Sequence, residues 1–227
     1  MRKIIGFILL VIIALGIGLS LTKLPFAVPK TKVGSYYIDK GIDQTGAVNI
    51  VTSVVLNYRG FDTLGEVTVL FIAALGLGVV LATIKKKTKK ETTPSSLVLS
   101  AGCKFLFPFI LLFGAYIFLH GHLTPGGGFQ GGAVIASGFL LVYLGCPGRR
   151  INEARFNATE SIGGLVFVIV GLIGLAFGGY FLVNFLPKGV PNTLLSAGIM
   201  PIVYIAIGVK VGTELAGIID NLIEESE

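Results

Sequence analysis

Six apolar runs separated by polar segments define the pattern of this chain. They cover approximately residues 4–22, 66–84, 97–119, 129–146, 161–186 and 193–215. Each run is close to the roughly 20 residues that an α-helix needs to cross the hydrocarbon core of a bilayer. The pattern therefore predicts an all-α integral membrane protein built as a bundle of six transmembrane helices.

The stretch at residues 86–96 is basic and then rich in Ser, Thr and Pro, which is typical of a linker. It predicts a two-plus-four arrangement, with a two-helix unit at 1–85 and a four-helix domain at 97–227. The run at 4–22 exceeds the apolar core of a secretory signal and has no small-residue cleavage site after it, so we expect a retained anchor.

The distribution of basic residues predicts the orientation of the spans. With the N-terminus inside, the cytoplasmic segments hold ten Lys and Arg residues and the external loops hold six. This bias favours a multi-pass protein of the cell membrane with both termini in the cytoplasm.

One polar segment before the second span has a helical pattern of its own. Within residues 43–57, Asn49, Thr52, Ser53 and Asn57 lie on one face of a helix, with valines outside that stripe. The valines also suit a strand. We expect an amphipathic helix that does not span the membrane and lies at the interface or in a groove.

Composition supports the membrane assignment and excludes other classes. The chain is 53% hydrophobic and 13% charged, with a mean hydropathy of +0.87. Its net charge of +6 is concentrated at Lys85–Lys90, beside an apolar run, so it indicates topology rather than nucleic-acid binding. Cys103 and Cys146 lack the spacing of a metal site, and we expect both to stay reduced near the cytoplasm.

Ionisable residues inside apolar runs are candidates for an ion or proton pathway, because a charge at mid-bilayer is costly. Glu66 either caps a helix start or handles a cation, and Lys104 either extends to the surface or relays protons. Lys210 and Glu214 are one helical turn apart, so they form either a structural ion pair or a conducting one.

The tract HGHLTPGGGFQGG, residues 120–132, lies where one span ends and the next begins. His120 and His122 suit either a proton shuttle or a hydrogen-bonded helix end, and two histidines alone make a poor metal site. Glycines four residues apart predict close helix packing. These packing candidates are Gly127, Gly128, Gly131, Gly132, Gly174 and Gly178.

The motif HGHLTPGGGFQGGAVIASGFLL, with Lys104 and Pro108 upstream and the four spans of 97–215, resembles the B subunit of Mrp (Mnh) cation/proton antiporters. Residues 57–76, NYRGFDTLGEVTVLFIAALG, are similar to the C-terminal tail of the large A subunit of those antiporters. In membrane-bound hydrogenases and related sulfur reductases, that tail is a small separate subunit beside the B-like one.

The resemblance implies a subunit of an Mrp-type Na⁺/H⁺ antiporter module, within a membrane-bound hydrogenase or sulfane sulfur reductase complex. It also implies Glu66, Lys104, His120 and His122 as positions for ion coupling. We expect no cofactor in this chain. Iron–sulfur clusters, and nickel–iron in the hydrogenase case, belong to partners, which comprise other antiporter-like subunits and a peripheral redox arm. The alternatives are a free-standing Mrp antiporter, a structural scaffold and a lone channel or carrier.

Overall fold

The computed structural model describes residues 2–23, 32–84, 95–146 and 153–226, and those residues contain helices and no β-strand. Within these described residues, six helices are long and apolar enough to cross a membrane, which confirms the predicted all-α fold. The basic linker at 86–96 falls largely outside the described residues. Arg149 and Arg150, two of the ten basic residues counted on the cytoplasmic side, also lie outside them. The helices are α1 (Arg2–Lys23), α2 (Lys32–Thr45), α3 (Ile50–Thr52, continued by a π-helical turn at Ser53–Tyr58), α4 (Gly60–Ile84), α5 (Leu97–Leu119), α6 (Gly128–Gly145), α7 (Glu153–Gly178) and α8 (Met200–Ser226).

The chain forms two compact units, Met1–Tyr36 and Tyr37–Glu227. The first contains α1 and the first residues of α2. The second contains the other spans, and α8 lies at its centre, in contact with α4, α5, α6 and α7. The predicted two-plus-four division of the chain stays a prediction.

Glycines allow the backbones of α5, α6 and α8 to approach closely. A Cβ atom on Gly132 of α6 would lie 2.9 Å from the carbonyl oxygen of Gly208 and from the amide nitrogen of Gly212, both on α8. On the adjacent face, a Cβ on Gly131 would lie 2.7 Å from the carbonyl oxygen of Gly114 on α5. Small residues at such crossings are how membrane helices associate.

The predicted bounds of the fifth and sixth spans, 161–186 and 193–215, are wrong. Helix α7 runs from Glu153 to Gly178, and α8 begins at Met200. Gly179 has a φ of +80°, which ends the helix, and prolines at 187 and 191 disfavour another. Two apolar residues shortly after Gly179, Phe181 and Leu182, nevertheless become buried, because the chain folds back along α7.

This returning segment is the partner of Gly174 and Gly178, which the sequence assigned to helix packing. A Cβ on Gly174 would lie 2.7 Å from the amide nitrogen of Val183, and one on Gly178 would lie 2.5 Å from the Val183 side chain. Phe181 and Leu182 of the same segment are buried. The two glycines thus make room for the chain's own loop.

The predicted amphipathic helix at 43–57 is interrupted. Helix α2 ends at Thr45, Gly46 has a φ of +77°, and the chain becomes helical again at Ile50, where the Asn49 side chain accepts a hydrogen bond from the Val51 amide. The polar stripe is turned inward, since Thr52 and Ser53 are fully buried, whereas Val51 is 66% exposed. Polar partners inside the protein account for this orientation.

Three connecting segments, at residues 41–58, 120–127 and 179–199, meet at one end of the bundle; we call this end the loop face. Asn49 donates hydrogen bonds to the carbonyl oxygens of Gly121 and Thr124, at 2.8 and 3.0 Å. Lys188 Nζ donates to the carbonyl oxygen of Asp43 at 3.1 Å. Alternating spans predict that these three segments lie on the same side of the membrane.

Thr52 links the loop face to α8. Its hydroxyl donates to the Gly121 carbonyl at 2.7 Å and lies 2.8 Å from the Tyr204 hydroxyl, so Tyr204 is the donor of that second bond. We expect Thr52→Val, which keeps the shape, to destabilise the subunit by about 1–2 kcal/mol, because the Tyr204 hydroxyl is left without its acceptor. Thermal denaturation in detergent measures this. Thr68→Val, at an exposed site, is the control and should be near neutral.

The sulfur atoms of Cys103 and Cys146 lie in direct contact, which the sequence did not predict; the expectation that both cysteines stay reduced near the cytoplasm stays a prediction. Gly145 explains their approach, because a Cβ there would lie 2.7 Å from Cys103 Cβ and 2.9 Å from the Leu99 carbonyl oxygen. The ends of α5 and α6 are therefore in close contact. A sequence separation of 43 residues concealed this proximity.

Candidate functional site

Lys210 and Glu214 form an ion pair inside the bundle. Lys210 Nζ lies 2.8 Å from Glu214 Oε2, and the two side chains are 9% and 1% exposed. Lys210 is ten residues into α8, about 15 Å from its start, which is half the roughly 30 Å of a bilayer core. The pair predicted from the i, i+4 spacing is thus present, buried and deep.

Glu160 on α7 adds a second carboxylate to this pair. Its Oε1 lies 3.4 Å from Lys210 Nζ, and its side chain is 23% exposed. Sequence reasoning missed Glu160 because it placed the start of the fifth span at residue 161. The only available signal was the position of this carboxylate next to a long apolar run. We call Glu160, Lys210 and Glu214 the ion cluster.

Two neighbouring residues explain how the Lys210 side chain is accommodated. A Cβ on Gly163 of α7 would lie 2.9 Å from the Ala206 carbonyl oxygen and 3.1 Å from Lys210 Cβ, so glycine lets α7 and α8 meet at this level. From α4, the ring of Phe71 lies with its centroid 5.2 Å from Lys210 Nζ, within cation–π range. The ammonium group is therefore surrounded by three spans.

An open pocket of about 490 Å³ adjoins the ion cluster between α4, α7 and α8. Its polar lining comes from α7 and α8, while α4 contributes an apolar wall that includes Phe71. The polar lining residues are Asn157, Glu160, Ser161, Glu214 and Asn221. A carboxylate-lined pocket at this depth can hold water, a proton or a cation.

The two histidines lie on the loop face, away from the ion cluster. His120 is half-buried, with Nδ1 3.1 Å from the Tyr116 carbonyl oxygen and its ring stacked on that of Tyr116. His122 is fully buried, with Nε2 3.4 Å from the Thr193 carbonyl oxygen, and Nδ1 has no hydrogen-bond partner among the described residues.

Burial lowers the pKa of His122 below its ordinary value of 6.5. The backbone hydrogen bond of Thr193 opposes this effect, and the charge of His120 adds to it. The His122 imidazole is therefore protonated less readily in the native state than in the unfolded state. The stability of the native state should fall as the pH drops below 6.5 towards the lowered pKa.

We expect His122→Gln to remove this part of the acid sensitivity. The measurement is the melting temperature of the purified protein at pH values of about 7.5 and 5.5, on either side of the ordinary histidine pKa. His120→Gln is the matched control and should retain it. An equal acid-induced loss in wild type and His122→Gln would contradict the prediction.

Glu66 and Lys104 are exposed in the chain, and neither contacts the ion cluster in the described structure. Glu66 lies in the second turn of α4, and Lys104 lies about two turns into α5. An exposed lysine at that depth is costly in lipid.

The fold and site define a multi-pass helical membrane protein with an ionisable cluster inside its bundle. Two family models match it: residues 98–217 match the domain related to the MnhB subunit of Na⁺/H⁺ antiporters, and residues 2–96 match MbhE, a component of MBH. The chain belongs to the MnhB-related family. This confirms the predicted resemblance and the predicted function as a membrane subunit of an Mrp-type antiporter module.

Known proteins extend the similarity over most of the chain. A chain in the structure of the membrane-bound sulfane sulfur reductase, an archaeal respiratory membrane complex, is 48% identical, with a TM-score of 0.80 and 97% of each chain covered. A chain of the Mrp complex from Dietzia sp. is 25% identical, with a TM-score of 0.76; the match covers 97% of this chain and 26% of that one. An uncharacterised protein of Methanocaldococcus jannaschii is 34% identical over 75% of this chain and 74% of the relative.

Proposed function

We propose that this chain is a membrane subunit of a respiratory complex of the sulfane sulfur reductase type, which couples redox chemistry to the exchange of Na⁺ and H⁺. The observation that carries the proposal is the end-to-end match, 97% of each chain at 48% identity, to a chain of such a complex. The match to the MbhE component of MBH over residues 2–96 supports the same arrangement.

The partners in this proposal are other antiporter-like membrane subunits and a peripheral redox arm. We assign the iron–sulfur clusters, and a nickel–iron centre if the complex is a hydrogenase, to those partners. Such clusters are typically held by four cysteine thiolates, and this chain has two cysteines. The complex lies in the cell membrane, with both termini of this chain in the cytoplasm, as the distribution of basic residues favours.

A free-standing Mrp antiporter is the second candidate, because the Mrp chain from Dietzia sp. matches 97% of this chain. In that protein the matched part is 26% of a longer polypeptide. The two candidates differ in their partners and share the site. Within either complex, we propose the ion cluster, Glu66, Lys104 and the two histidines as the positions to test for ion coupling.

Affinity purification through a tag on this chain, in mild detergent, followed by mass spectrometry tests the proposal. We expect iron–sulfur proteins and a reductase- or hydrogenase-like large subunit to co-purify with antiporter-like subunits. Antiporter-like subunits alone would favour the Mrp exchanger. Recovery of the chain without membrane partners would contradict both candidates.

A further inference from the structure

The ion cluster carries an unbalanced charge inside the bundle. When all three groups are ionised, two carboxylates, Glu160 and Glu214, face one ammonium group, Lys210, so the cluster has a net charge of −1. Lys210 and Glu214 are almost completely shielded from solvent, at 9% and 1% exposure. Buried charges in proteins are paired or coordinate cations. One further monovalent positive charge would make the cluster neutral.

Glu214 has a carboxylate oxygen that such a charge could contact. Its Oε2 accepts the hydrogen bond from Lys210 at 2.8 Å, but its Oε1 is buried and has no hydrogen-bond partner among the described residues. A buried carboxylate oxygen without a donor is unfavourable, and each such group calls for an ion, a water molecule or a proton. Glu214 also lines the pocket between α4, α7 and α8.

The pocket offers oxygen atoms at helical spacing on two walls. Asn157, Glu160 and Ser161 lie on one face of α7, and Glu214 and Asn221 lie two turns apart on one face of α8. Hard cations prefer carboxylate, carbonyl and hydroxyl oxygens. The volume of about 490 Å³ accommodates an ion together with several water molecules, each of which needs about 30 Å³.

We propose that this pocket binds one partly hydrated alkali-metal cation, with the carboxylates of Glu214 and Glu160 as its ligands and Lys210 as a fixed internal cation. Lys210 lowers the charge of the site to −1, which suits a monovalent rather than a divalent ion. Asn157, Ser161 and Asn221 supply further oxygens. The relevance of the site to ion exchange rests on the proposed function, but the binding itself does not.

The test is equilibrium binding of ²²Na⁺ to the purified complex, with ⁸⁶Rb⁺ as a tracer for K⁺ and choline to keep the ionic strength constant. Because partner subunits can also bind ions, the readout is a difference. We expect wild type to bind one more cation per copy of this chain than Glu214→Gln does. Asp39→Asn, an exposed carboxylate-to-amide change on α2, is the control and should bind as wild type does.

If Glu214→Gln fails to assemble, the same binding measurement is made on Glu160→Gln and Asn157→Ala. Glu160 is partly exposed and Asn157 exposed, so these changes are milder, and we expect roughly tenfold or greater weakening of cation affinity, as when a group that supports a metal site is lost. Unchanged cation number and affinity in the assembled variants would overturn the proposal. Proton binding without any dependence on Na⁺ or Rb⁺ would also overturn it. The identity of the co-purified partners tests the proposed function separately.

Discussion

Replacing Lys210 with methionine lowers the stability of the subunit by about 3–5 kcal/mol, the loss expected when one partner of a buried ion pair is removed. The reason is that Glu214 is 1% exposed and loses the donor 2.8 Å from its Oε2, while Glu160 remains a second negative charge nearby. Methionine keeps most of the length and the apolar stem of lysine. The loss therefore reports the charge rather than a cavity.

A temperature series on the purified complex, followed by size-exclusion chromatography, measures the fraction of this chain that remains assembled. The double variant Lys210→Met with Glu214→Gln should recover much of the loss, because the remaining carboxylate, on Glu160, is 23% exposed and can reach water. Lys40→Met, at an exposed lysine of α2, is the control and should be near neutral. Equal stability of wild type and Lys210→Met would refute the prediction.

Replacing Gly132 with alanine forces α6 and α8 apart and destabilises the subunit by about 2–3 kcal/mol, the upper part of the range for overpacked interiors. The added methyl group would meet the Gly208 carbonyl oxygen and the Gly212 amide nitrogen at 2.9 Å. Both are backbone atoms of a helix, so neither can rotate away as a flexible side chain could.

The same substitution at Gly102 in α5 is the control, because a Cβ there has nothing within 4 Å in the chain. Alanine at an open helical position should be neutral or stabilise by about 0.5–1 kcal/mol. Melting temperatures of the two variants in one detergent give the comparison. If both alanine variants melt alike, the close α6–α8 crossing does not control stability.

The spans could be predicted from sequence to different degrees, for a physical reason. Hydropathy measures transfer from water and does not distinguish burial across a bilayer from burial within a bundle. Phe181 and Leu182 follow the end of α7, and their apolar side chains pack into the core of the bundle instead of continuing the span. The spans at 97–119 and 129–146 agree with α5 and α6 to within one residue because glycine, proline and histidine tracts bound them.

The site shows the corresponding limit for side chains. The Lys210–Glu214 contact follows from a spacing of four residues on one helix and could be predicted from sequence. The contact with Glu160 depends on how α7 is rotated against α8, across 50 residues of sequence, and the close approach at Gly163 sets it. The inward turn of Thr52 could not be predicted either, since its partners, Gly121 and Tyr204, come from two distant segments.

The contacts of residues 41–84 with the later spans have a consequence for how this polypeptide is organised. Asn49 and Thr52 bind the backbone of residues 121–124, and α4 packs on α8, so the surfaces on the two sides of the lysine-rich stretch recognise each other directly. The linker that joins the two parts raises the effective concentration of these surfaces for each other, but the contacts themselves do not depend on it. If the chain were cut between residues 85 and 94, the two fragments would still have complementary surfaces. One fused polypeptide and two separate subunits could therefore form the same assembly.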